Sequence, residues 1–137
     1  VDTLKKINRG FVIPERQPDE GITYAQKIST RNACIDWCQD RHTVMRQIHA
    51  FNPVPGAYTF AGHERMKVFL VSEAQGKHTR PGTLWKIEDQ ILVSTQTGNL
   101  QILECQLPGG KRLSQEHMVS HQTAPWNQTM TLKERSA

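Results

Sequence analysis

The amino-acid sequence predicts a mainly β fold, a small Greek-key antiparallel barrel of the OB type with one helix on its N-terminal side and a short helix after it. Three observations carry this. From Ala57 onward, short runs rich in β-branched and aromatic residues follow one another at roughly 8–12-residue spacing. The runs AYTFAG, RMKVFLVSEA, PGTLWKIEDQ, ILVSTQTG and NLQILECQL are separated by Ala61-Gly62, Gln75-Gly76, Pro81-Gly82, Glu88-Asp89 and Thr97-Gly98-Asn99. No helical period intervenes between them, and five such strands close as a small barrel or sandwich.

The first ten residues, VDTLKKINRG, read as helix, with Asp2 placed to cap and Leu4 and Ile7 three apart. A chain that opens inside a helix, without Met, reads as a piece of a longer one. Phe11 to Gly21 holds Pro14, Pro18 and Gly21, a composition for a linker or extended arm. Residues 1–21 are therefore set apart as the end of a preceding domain and its linker, and residues 22–120 as the barrel domain. Ile22 to Trp37 has no clean period and is expected to pin itself to the barrel through Tyr24, Ile28, Ile35 and Trp37. Arg41 to Phe51 is the clearest helix: Val44, Ile48 and Phe51 recur at i, i+4 and i+7, with Met45 widening the stripe. Pro53 and Pro55 stop it. In the last two strands Ile91 and Val93 alternate with Leu92 and Ser94, and Leu100, Ile102 and Glu104 alternate with Gln101, Leu103 and Cys105. After the basic turn Pro108 to Arg112, Ser114 is placed to cap a short helix with Glu116 in its first turn. Residues 121–137 read as a polar, poorly ordered tail with Trp126, Met130 and Leu132 as anchors.

The chain of 137 residues carries 17 Lys+Arg against 13 Asp+Glu, a net charge of +4 and a pI near 9.2. That bias permits phosphate partners without requiring them. No apolar run approaches the roughly 20 residues a membrane span needs, so no membrane association is expected. Three cysteines imply no complete disulfide framework. Cys34, Cys38 and His42 would share a face on a helix, but no fourth ligand stands nearby and no metal site is expected. None of the six histidines falls in a nucleophile, metal or phosphate motif, and no paired carboxylates stand out, so no catalytic set is expected. The cations are the better signal. Arg65, Lys67, Lys77, Arg80 and Lys86 outweigh Glu64 and Glu73, and the basic turn adds Lys111 and Arg112. Arg65 and Lys67, two apart on a strand, share one face. The candidate nucleic-acid-binding residues are Arg65, Lys67, Lys77, Arg80, Lys111 and Arg112, acting on phosphates.

The series Ile35-Asp36-Trp37, Ile48 to Tyr58 (IHAFNPVPGAY), Pro81-Gly82-Thr83, Gly98 to Ile102 (GNLQI) and Gly110 to Ser114 (GKRLS) resembles the C-terminal domain of methionyl-tRNA formyltransferases. Upstream, Gly21 to Ile28 (GITYAQKI) is similar to the arm that leads into that domain. The resemblance covers about Val1 to Ser120. It departs at Val54, where the family usually has Trp, and it does not extend over the tail. It implies an OB-like, non-catalytic domain that helps hold the acceptor arm of the initiator tRNA in the cytoplasm. Formyl transfer and the cofactor 10-formyltetrahydrofolate then belong to an N-terminal catalytic formyltransferase domain, the second partner implied. Sugar-nucleotide formyltransferases and formyltetrahydrofolate dehydrogenases carry related domains. The alternative is thus a buttressing module of such a relative, or a standalone remnant with a new binding role.

Overall fold

The computed structural model of the protein describes residues 1–121, 124–127 and 129–133. Two helices, α1 (Asp2–Asn8) and α2 (Arg41–Phe51), precede the strands β1 (Ala57–Ala61), β2 (Glu64–Ala74), β3 (Thr83–Ile87), β4 (Gln90–Ser94), β5 (Asn99–Gln106) and β6 (Arg112–Ser114). Helix α3 (Gln115–Ser120) and strand β7 (Met130–Lys133) follow. The strands run in the order β2-β1-β7-β3-β4-β5, and β5 pairs back onto β2, so six antiparallel strands close a barrel while β6 extends β5.

Helix α1 buries nothing, and Leu4 and Ile7 stay exposed. Asp2 stands as its first residue rather than its cap, and Val1 at the cap position makes no side-chain hydrogen bond. Of the four expected anchors of the arm, Ile35 and Trp37 are buried while Tyr24 and Ile28 are exposed. The reason is where pairing begins. Cys34 bridges Tyr58 in parallel, and Ile35 N donates to the Tyr58 carbonyl at 2.8 Å. From there strand-like alternation sends Ile35 and Trp37 inward. Trp37 Nε1 donates to Thr59 Oγ1 at 3.0 Å, which satisfies two polar groups inside the core.

Helix α2 starts at Asp40, whose carboxylate accepts from Thr43 N at 3.0 Å. It buries Val44 and Ile48 and lies on β2, where the His49 ring bonds the Val71 backbone. Ile48 and Val44 join Met66, Val68, Val71, Leu84, Ile91, Val93, Leu100 and Ile102 in one core.

The alternation along β5 breaks at its end. Leu100 and Ile102 point inward, but Cys105, not Glu104, completes the buried set. Register shifts around Leu70 explain this: Val68 opposes Cys105, Leu70 opposes Glu104 and Val71 opposes Ile102. A bulge of this kind switches the side chains on its far side to the other face. Cys105 Sγ sits 3.1 Å from Met118 Sδ, and burial pushes its thiol up to about 12. On β4, Leu92 and Ser94 are buried as well as Ile91 and Val93.

Among the described residues seven strands stand where five were expected. Within the stretch expected as a polar tail, the Trp126 side chain is 1% exposed and its Nε1 donates to the Met118 carbonyl at 3.0 Å. Strand β7 fills the gap between β1 and β3, with Ala61 opposite Leu132 and Leu84 opposite Met130. Gly82 makes room for it. At φ +81, a Cβ there would stand 2.8 Å from the Leu132 carbonyl oxygen. The glycine's own carbonyl accepts from Leu132 N at 2.7 Å, and its N donates to Ser94 O at 2.8 Å.

Candidate nucleic-acid interface

The register of four strands builds one cross-strand row on the outside of the barrel. Tyr58 of β1 opposes Lys67 of β2, Lys67 opposes Gln106 of β5, and Gln106 opposes Arg112 of β6. Two residues along the hairpin, Phe60 opposes Arg65. The residues between them, Thr59 and Met66, are buried, so Tyr58, Phe60, Arg65 and Lys67 share the outward face. The Arg65 guanidinium carbon lies 3.8 Å over the Tyr58 ring. The Tyr58 and Phe60 rings meet edge to face with centroids 5.8 Å apart. Beside them a shallow groove of about 220 Å³ is lined by Arg65, Lys67, Gln106, Leu107, Pro108 and Gly109. Lys111 follows in the same turn, exposed.

Two of the six sequence-derived cations, Arg65 and Lys67, therefore stand together here, and Lys111 is exposed in the adjoining turn. Among the described residues Lys67 and Lys111 make no ion pair. Arg112 is adjacent but engaged. It donates through Nε to Glu104 Oε2 at 2.9 Å and through a second, shorter contact from its terminal nitrogen. It also donates to Asn52 Oδ1 at 3.3 Å, and its guanidinium lies 4.2 Å over the Phe69 ring. Its charge is neutralised by Glu104, and the side chain ties the turn after α2 to the barrel.

Lys77 and Arg80 stand elsewhere. They belong to the loop 75–82 beyond the far end of β2, roughly 30 Å along that strand from Arg65 at about 3.3 Å per residue. That loop is stitched to the β4–β5 hairpin. Asn99 Nδ2 donates to the carbonyls of Gly76 and Lys77 at 3.3 and 3.2 Å. Ser94 Oγ donates to Asn99 Oδ1 at 2.8 Å and lies 2.8 Å from Thr79 Oγ1. Lys86 is also occupied, donating to the Val119 carbonyl at the end of α3 at 2.7 Å. The aromatic pair Tyr58 and Phe60 is the part of this face that charge counting overlooks. Its signal is present in the run AYTFAG, because a hairpin turning at Ala61-Gly62 sets Tyr58 and Phe60 opposite Lys67 and Arg65.

The candidate metal trio is not gathered on one helix: Cys34 lies on the β-bridge, Cys38 is exposed in a turn, and only His42 is on α2. Among the described residues no three metal-ligating side chains cluster, and no helix is long and apolar enough to cross a membrane. A second groove, about 800 Å³, adjoins this face, where the row Leu70, Glu104 and Ser114 follows the row Lys67, Gln106 and Arg112 along β5. It is floored by Leu70, Leu103 and Val119 and rimmed by Asp89, Glu104 and Glu116.

A model of the formyl transferase C-terminal domain family matches residues 27–123. The methionyl-tRNA formyltransferase of Chromobacterium violaceum is 36% identical over 126 residues, which are 91% of this chain and 40% of that protein. The methionyl-tRNA formyltransferase of Citrifermentans bemidjiense is 38% identical over 113 residues, 82% of this chain and 35% of that protein. The chain thus spans about two fifths of the length of these relatives, over their C-terminal part. Among solved structures, HypX from Aquifex aeolicus in complex with tetrahydrofolic acid superposes with a TM-score of 0.67 at 20% identity, covering 87% of this chain and 22% of that one. At that identity the likeness is one of fold.

Proposed function

We propose that this chain, which belongs to the formyl transferase C-terminal domain family, holds the acceptor arm of an initiator tRNA through phosphate contacts for a separate catalytic domain. The observation that carries the reading is the outward face on which Arg65 and Lys67 stand, beside the turn that holds exposed Lys111, with Lys67 and Lys111 in no ion pair among the described residues. The relatives' names supply the RNA, since both are methionyl-tRNA formyltransferases. In this reading the reaction serves translation initiation in the cytoplasm, and the formyl group is transferred by the relatives' remaining three fifths. Contacts of this kind fix register and orientation without reading sequence. Lys77 and Arg80, at the other end of the barrel, form at most a second, separate patch.

The cofactor 10-formyltetrahydrofolate is placed on the catalytic domain. The groove of about 800 Å³ on this domain carries Asp89, Glu104 and Glu116 in its lining. A folate tail carries carboxylates and meets like charge there.

Anisotropy titration of this chain with initiator tRNA at several salt concentrations tests the proposal. Three phosphate contacts give a slope of log K on log salt of about −2 to −3. Lys67→Glu and Lys111→Glu each weaken all tRNAs about equally and flatten the slope by about 1. Absence of binding at low salt, or binding indifferent to salt, rules it out.

A further inference from the structure

We infer that the Arg65–Tyr58 pair is a stacking site for an unpaired nucleobase, so that the RNA end held on this face is single-stranded; this rests on the RNA-binding reading above. Phosphate contacts alone ask for cations. They do not ask for two aromatic rings on the same outward face, with a guanidinium laid over one of them. Tyr58 supports Arg65 from below at 3.8 Å, and Phe60 buttresses the Tyr58 ring edge-on. The guanidinium is thereby held as a plate, while Arg65 as a whole remains exposed.

An exposed, supported guanidinium offers two things at once: a flat cationic face on which any base stacks, and N–H edges for the adjoining phosphate. Lys67 follows on the same face two residues on, roughly 7 Å along the strand. The groove beside the plate, bounded by Gln106, Leu107 and Pro108, has room for a flat ring. An RNA helix keeps its bases inside the stack and shows this face only backbone; splayed, single-stranded nucleotides expose theirs. The combination of plate, second cation and small groove therefore suits an unpaired end.

The test compares two stem-loop RNAs that carry short 3′ single-stranded tails, one with bases and one abasic. Both keep every phosphate. The chain is expected to bind the tail with bases about tenfold more tightly, the effect of one good stack. Arg65→Lys keeps the charge and removes the plate, and it should bring the ratio of the two affinities to near one. Tyr58→Leu should do the same, with its melting temperature recorded to confirm folding. Equal, salt-dependent binding of the two RNAs by the unaltered chain overturns the stacking site and leaves phosphate positioning standing. Failure to bind either overturns both. A ratio that survives Arg65→Lys also overturns the stacking site, because the bases are then read elsewhere.

Discussion

Asn99 is 2% exposed and spends its side chain on three partners: it accepts from Ser94 Oγ and donates to the carbonyls of Gly76 and Lys77. Buried Ser94 closes β4, while Gly76 and Lys77 stand exposed in the loop 75–82, so Asn99 ties that loop to the sheet. Replacing Asn99 by Ala should therefore cost about 1–3 kcal/mol of stability, the usual penalty for orphaning buried polar groups, measured by urea denaturation. An unchanged midpoint would remove Asn99 from this role. Nothing in Gly98-Asn99-Leu100 announced the role, because Asn after Gly at a hairpin reads as turn chemistry. Arg112 was legible as a cation but not as a paired one. Its partner Glu104 falls in step with Leu100 and Ile102 by strict alternation, and the register shift around Leu70 that breaks that step has no signature in the strand's own residues. By contrast, Arg65 and Lys67 were legible as a pair because their spacing matches the strand period.

Helix α2 was legible in full, since its apolar stripe and the prolines after it define both the buried face and the end. Its start rests on Asp40, a half-buried cap. Hydrogen bonds from Thr43, first through its hydroxyl and then through its amide, hold the Asp40 carboxyl below the ordinary carboxylate range. A depressed value in the folded state means that the cap's contribution is present above the unfolded value of about 3.9 and is lost as pH falls through the folded one. Asp40→Ala should lower the melting temperature at neutral pH, and the difference from the unaltered protein should shrink in acid below about pH 4. A difference that stays constant down to pH 2 would show that the carboxylate is not what caps the helix. Helix α3 behaves differently. Ser114 stands at its cap position, but its hydroxyl lies 2.9 Å from His117 Nδ1 and makes no cap hydrogen bond.

At the scale of the whole molecule, the strands from β1 to β5 carry their own evidence because each is rich in β-branched and aromatic residues and each is bounded by turn residues. Strand β7 does not. Four residues, Met130 to Lys133, are too few to show a period within a polar stretch, and their place is set by the gap between β1 and β3 rather than by their composition. A chain shortened to end at Ser120 keeps every legible strand and loses closure. It leaves β1 and β3 each with an unpaired edge and removes the buried Trp126 and Leu132. Such edges recruit other chains. The shortened chain is expected to elute as soluble aggregates in size-exclusion chromatography, where the longer one elutes as a defined species. A well-behaved monomer with an unshifted melting temperature would contradict the role assigned to β7.

The same closure has a direction in time. Ala61 and Leu132 are partners, yet they lie 71 positions apart in the chain, and a pairing so distant forms late. During synthesis β3 is finished at Ile87, while β7 does not begin until Met130. At about 5–20 residues per second, the nascent barrel waits roughly 2–9 s with both edges open. A stave made last gives the ribosome, not the core, the final say over when this domain becomes safe from its neighbours.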